Sequence, residues 1–128
     1  MKTEYDVFTK DKIKISYRAF IQSTLMELGL SPTSKGTYYL RDIILLAIQE
    51  NNFNDISLID LRNKLAKSKN ISPYTIKSNI DYTFRFKDTS KAKENFETIF
   101  NIKYDEYYIT AKSLTNLIIS LIYCNNLK

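Results

Sequence analysis

The chain has 128 residues, 44% apolar and 26% charged, with a net charge of +5. That is enough apolar material for one domain with a core, and it excludes a charge-dominated disordered chain. The start, MKTEYDVFTKDKIK, has no apolar run of a signal peptide, and the longest apolar stretch, LTNLIISLIYC, is too short and interrupted to span a bilayer.

Residues 1–14 read as a charged N-terminal arm and residues 15–128 as a helical domain. Tyr17, Ile21, Leu25 and Leu28 recur at helical spacing and predict a first helix over about 15–27. Gly29 stops it, and LSPTSKG is a loop. A second helix is predicted from Ser34 or Gly36 to about Gln49, with Leu40, Ile43, Ile44 and Ala47 as its core stripe and Tyr39 and Leu46 widening it. ENNFND breaks the pattern, and Asp55 or Ser57 can cap the next helix. That third helix covers about 58–67, with Leu58, Leu61, Leu65 and Ala66 inward. Ser72 as N-cap and Pro73 as first helical residue open a fourth, over about 73–86, because proline's missing N–H costs nothing there. Its Ile76, Ile80, Thr83 and Phe84 lie on one side, and Tyr74, Ser78, Asp81 and Arg85 roughly opposite. A short helix follows over 91–100, with Ala92, Phe96 and Ile99 inward. NIKYDEYYI is irregular, and Thr110 can cap a last helix from Ala111 to about Cys124, whose apolar face is Leu114, Leu117, Ile118, Leu121 and Ile122. Strand signals are weak, so the fold class is all-α, with about six helices. The ten tyrosines are expected mostly at the edge of the core.

The single cysteine, Cys124, cannot form a disulfide within the chain, which points to a reducing compartment, the cytoplasm. With no histidine, no Cys/His metal site can form, and no motif calls for a cofactor. The serines have no histidine to activate them, and the SKG of PTSKGTYY lacks the phosphate-loop spacing, so an enzyme is not expected.

The basic excess is local. Residues 60–93 hold nine Lys/Arg and three acids, +6, while the rest of the chain sums to −1. A patch of this kind suits a polyanion; a lysine-rich solvated face is the other reading. Within it, helix, short turn and helix over 58–86 have the pattern of a helix-turn-helix: small Ala66 where the helices cross, Ile71 as the turn's apolar anchor, and a buried side on the second helix. The opposite side is then free for a major groove, making double-stranded DNA the expected partner. Tyr74, Thr75, Lys77, Ser78 and Asp81 are the base-reading candidates, with Lys77 suited to guanine and Asp81 to cytosine N4. Lys67, Lys69, Ser72, Arg85, Lys87, Lys91 and Lys93 are the phosphate candidates, Ser72 and Pro73 marking a helix start with open amides. Asp81 also repels phosphate and is the residue most at odds with a groove.

The segment IQSTLMELGLSPTSKGTYYLRDII, with Leu28, Gly29, Leu30, Lys35, Gly36, Tyr39, Leu40, Arg41 and Ile44, resembles the C-terminal effector domain of the master sporulation response regulator of endospore-forming bacteria. Leu65 and Ala66, Ser72, Ile76, Ile80, Phe100 and Thr110 resemble further positions in order, so the likeness spans about residues 15–124. It implies a six-helix DNA-binding fold and a transcription regulator of short promoter boxes, often bound as tandem dimers. Departures are specific. Thr37 stands where the family has an aromatic. Thr75, Lys77, Ser78 and Asp81 stand where it has arginines and a glutamate, so the family's base preference does not carry over. Ile109, Thr110 and Ala111 occupy the region of its proline-threonine-asparagine element. The family places a phosphoacceptor receiver domain first; with only about 14 residues before the first helix, a stand-alone regulator is expected here, the effector half of a longer protein being the other reading. The alternative is a protein-interaction module of the same fold that modulates a related regulator; a homodimer or that relative would be the protein partner.

Overall fold

The computed structural model describes residues 6–8, 14–50 and 57–126. Most of the arm, and the ENNFND break with its alternative cap Asp55, lie outside the described residues. Six α-helices make up the body, as the periodicity predicts: α1 (Tyr17–Glu27), α2 (Lys35–Glu50), α3 (Leu58–Lys69), α4 (Pro73–Arg85), α5 (Ala92–Phe100) and α6 (Ala111–Asn126), with a 3-10 turn at Glu106–Tyr108.

The N-terminal segment adds an element that three-residue stretches cannot announce. β1 (Asp6–Phe8) pairs antiparallel with β2 (Lys14–Ser16), Val7 opposite Ile15, and the ribbon lies against α1 and α6. Ile15 is therefore strand, and α1 starts at Tyr17. Ser16 caps it by accepting from the Ala19 amide at 3.2 Å.

α2 is the central helix and packs against α1, α3, α4 and α6. Its predicted stripe of Leu40, Ile43, Ile44 and Ala47 is buried, together with Leu45. Ile21, Leu25 and Leu28 of α1, Leu61, Leu65 and Ala66 of α3, Ile76 and Ile80 of α4, and Leu114, Ile118 and Ile122 of α6 complete one core. Each leucine or isoleucine among them contributes about 1.5–3 kcal/mol on leaving water. α6 also buries Ile119 and Thr115, which lie outside its expected stripe; it touches α1, α2, β1 and the 3-10 turn, so more than one side is covered.

The only two glycines of the sequence both hold α4 and the loop after it in place. Gly29 has φ +101°, and a Cβ there would stand 2.1 Å from the Asp88 carbonyl oxygen. The Asp88 amide donates to the Gly29 carbonyl at 2.8 Å, which fastens the α1–α2 loop to the α4–α5 loop. Gly36 lies where α2 meets α4: a Cβ would stand 2.2 Å from both the Asn79 carbonyl oxygen and Thr83 Oγ1. Thr37, beside it, is fully buried and donates to the Ser31 carbonyl at 2.7 Å.

α5 is anchored from below. Asn95 Nδ2 donates to the Glu27 carbonyl at 2.7 Å, closing the end of α1. Phe96, fully buried, has Phe100, Tyr104 and Tyr108 around it at ring-centroid distances of 5.0, 5.6 and 5.8 Å. Thr110 caps α6 as expected, accepting from the Ser113 amide at 3.1 Å. The tyrosines depart from expectation: among the described residues Tyr17, Tyr38, Tyr39 and Tyr104 are half-buried, whereas Tyr74, Tyr82, Tyr107, Tyr108 and Tyr123 are exposed. No helix of the described residues is long and apolar enough to cross a membrane.

Candidate nucleic-acid interface

α3 and α4 are joined by a three-residue turn, Asn70–Ser72, whose geometry follows from local chemistry. Ser57 caps α3 through the Asp60 amide at 3.3 Å. At the other end Asn70 adopts the left-handed conformation, φ 57° and ψ 45°. The Ile71 amide then reaches back to the Ala66 carbonyl at 3.0 Å and the Asn70 amide to that of Lys67 at 3.3 Å. These paired bonds satisfy the open carbonyls of the helix end and turn the chain sharply. Ile71 tucks against the core as the turn's anchor, and Ser72 starts α4, its hydroxyl accepting from the Tyr74 amide at 3.1 Å.

The open amides expected at the start of α4 are therefore already engaged. Tyr74 N–H bonds the Ser72 hydroxyl, Thr75 N–H bonds the Ser72 carbonyl at 3.0 Å, and Pro73 has no N–H. Ser72 acts as a cap here; what remains at this end for an anion is the positive pole of the helix dipole.

Packing determines which side of α4 faces water. Ile76, Ile80 and Thr83 are buried against α2 and α3. Thr83 Oγ1 pairs with Ser34 Oγ and donates to the Asn79 carbonyl at 3.0 Å. The opposite side is free, and Tyr74, Lys77, Ser78, Asp81, Tyr82 and Arg85 line a shallow depression along it. Four of the five base-reading candidates thus share one surface. Thr75 is exposed on the first turn, where its carbonyl accepts from Asn79 Nδ2 at 2.8 Å. Tyr82, not among the candidates, joins the same depression and is 57% exposed; its ring packs against that of Phe86, also exposed, tilted at 44° with the centroids 4.6 Å apart. Its place at i+4 from Ser78 was the available signal, about 400° of helical turn and so only about 40° from that candidate.

Lys77 and Asp81 are bonded to each other, Nζ to Oδ2 at 2.7 Å, with both side chains about half exposed (53% and 54%). An exposed pair one turn apart contributes only about 0.3–0.5 kcal/mol. It orients the lysine without locking it.

The phosphate candidates divide. Lys67 and Arg85 are exposed and Lys87 half-buried, all flanking the α3–α4 unit, and none has an ion pair among the described residues. Lys69 is drawn away. Its ammonium lies 3.5 Å from Asp42 Oδ2 and 6.0 Å from the Tyr39 ring, so its charge is partly spent on α2. Asp42 is the hub of an unforeseen cluster: Arg41 at 3.0 Å and Arg18 at 3.5 Å also pair with it, and Arg41 further donates to Gln22 Oε1 at 2.7 Å. Arg41 of the YLR element therefore ties α2 to α1. Lys91 is exposed just before α5, while Lys93 lines a separate surface with Glu97, Asn101, Ile102 and Lys103. Beyond α4, the Ser90 amide donates to Asp88 Oδ1 at 3.0 Å, and this bond, seconded by the Ser90 hydroxyl, holds the Asp88 carboxyl below its ordinary range.

Among the described residues no group of three or more His, Cys, Asp or Glu side chains could hold a metal ion. No model of a known protein family matches the chain, and no curated protein is significantly similar to it.

Proposed function

We propose that the chain is a DNA-binding transcription regulator, with α3, the turn and α4 acting as a helix-turn-helix and α4 lying in the major groove. The observation that carries this is the free side of α4: a 13-residue helix whose outward face presents Lys77 and Arg85 beside Ser78, Asp81 and two tyrosines, flanked by Lys67 and Lys87, which have no ion pair among the described residues. A helix of that length spans about 20 Å, and a major groove admits an α-helix side-on. The fixed geometry of the turn supports the reading, as does the location of the whole basic excess in residues 60–93. The sequence resemblance to the sporulation effector domain agrees with both. Lysine and serine discriminate among bases less than arginine does, so backbone charge supplies most of the affinity. Titrating the protein with mixed-sequence duplex at increasing salt tests this: log affinity should fall linearly with log salt, and no binding at low salt would overturn it.

One observation favours a second reading. Asp81 faces outward, and the exposed Tyr82–Phe86 pair gives the end of α4 an apolar surface more typical of a protein contact. On that reading the unit binds another protein, a related regulator among them, and salt-dependent duplex binding would be absent.

A further inference from the structure

A surface that only holds phosphates has no use for a carboxylate at its centre, yet Asp81 stands in the middle of the α4 face, bonded to Lys77 at 2.7 Å. An ammonium carries three N–H donors and no acceptor; a carboxylate has two acceptor oxygens and no donor. Their mutual bond uses one Lys77 donor and Asp81 Oδ2. Two donors of Lys77 and Asp81 Oδ1 are left for a third party, and neither residue has another ion pair among the described residues.

That leftover set matches one base-pair edge. In the major groove a G·C pair shows the guanine acceptors N7 and O6 followed by the cytosine N4 donor. O6 and N4 are hydrogen-bonded to each other, so they sit about 2.9 Å apart, close to the spacing of the ion pair. Lys77 can donate to O6 and N7 while Asp81 accepts from N4, with the pair intact. The reversed pair, C·G, would put Asp81 against O6, acceptor against acceptor. T·A offers O4 and N6 in the right order but a methyl group where the second lysine donor needs N7. We infer that Lys77 and Asp81 act as one donor–acceptor unit that reads a single G·C base pair in a fixed orientation. This rests on the DNA reading of α4 and gives Asp81 a role there: repulsion from phosphate is exchanged for discrimination.

Selection from a random duplex library tests it, run with the native chain, with Asp81→Ala and with the exchange Lys77→Asp plus Asp81→Lys. The exchange keeps the net charge and puts the acid before the lysine, the favourable order on a helix, so the fold is retained. The native chain should select a site with one position at which G·C is preferred over C·G by about tenfold. Asp81→Ala should bind mixed-sequence duplex at least as tightly and lose most of that preference. The exchange should invert it. A native motif without an orientation-fixed G·C position, or one that both variants leave unchanged, overturns the inference while duplex binding stands. No binding of the native chain at low salt overturns the DNA reading and the inference together.

Discussion

Replacing Gly36 with alanine probes the contact that places α4. The added Cβ would approach the Asn79 carbonyl oxygen and Thr83 Oγ1 to 2.2 Å, about 1.2 Å short of the 3.4 Å at which ordinary contact begins. The Thr83 hydroxyl can rotate away, but the carbonyl belongs to the α4 backbone, so the two helices must part. Overpacking of this kind costs about 1–3 kcal/mol. Displacing Thr83 Oγ1 from Ser34 adds about 1 kcal/mol. Alanine's better helix propensity returns about 1 kcal/mol. The net loss is about 2 kcal/mol, which for a chain of this size lowers Tm by about 8 °C at about 4 °C per kcal/mol. Thermal unfolding followed by circular dichroism reads this directly. Because α4 shifts with the contact, duplex affinity should fall as well. A variant that melts at or above the native temperature would refute the close-approach argument, since helix propensity alone would then have decided the outcome.

Asn70→Gly should be neutral or stabilising and Asn70→Ala destabilising by about 1 kcal/mol, because the turn requires φ 57° there and only the alanine resists it; urea denaturation distinguishes them. In duplex binding, Lys67→Ala and Lys87→Ala should each flatten the salt slope by about one. Lys69→Ala should flatten it less, since Asp42 already draws on its charge. Asp88 gives a pH dependence. Its carboxyl is lowered in the folded chain, chiefly by the Ser90 amide, so around pH 4 the unfolded chain binds more protons and stability rises with pH. The contribution is present at neutral pH and lost as pH falls through the lowered value. Denaturation midpoints of Asp88→Asn should therefore decline less steeply below about pH 4 than those of the native chain.

The helices were legible because each carries its own period and its own punctuation. Ile76, Ile80 and Thr83 mark the inner side of α4, Ser72 and Pro73 its start, and Thr110 the start of α6; all are local signals, and all hold. What stayed hidden depends on partners far away in the chain. The ribbon of Asp6–Phe8 and Lys14–Ser16 is too short to show a period and is supported by docking on α1 and α6. Lys69 looked like a free phosphate contact, but Asp42, 27 residues earlier, sits within 3.5 Å of it once α2 and α3 pack. Gly36 looked like a helix-start residue, and its reason is the backbone of α4. The Lys77–Asp81 pair is different: its i, i+4 spacing is readable in the sequence, and only the bond between the two side chains makes them one unit.

The most direct test of the central claim is amide chemical-shift mapping of the chain titrated with a short mixed-sequence duplex at low salt. The largest changes should fall within residues 67–87, led by Tyr74, Thr75, Lys77, Ser78 and Asp81, with α6 unaffected. Changes confined to α5, the 3-10 turn and α6, or no changes at all, would contradict the placing of α4 in the groove.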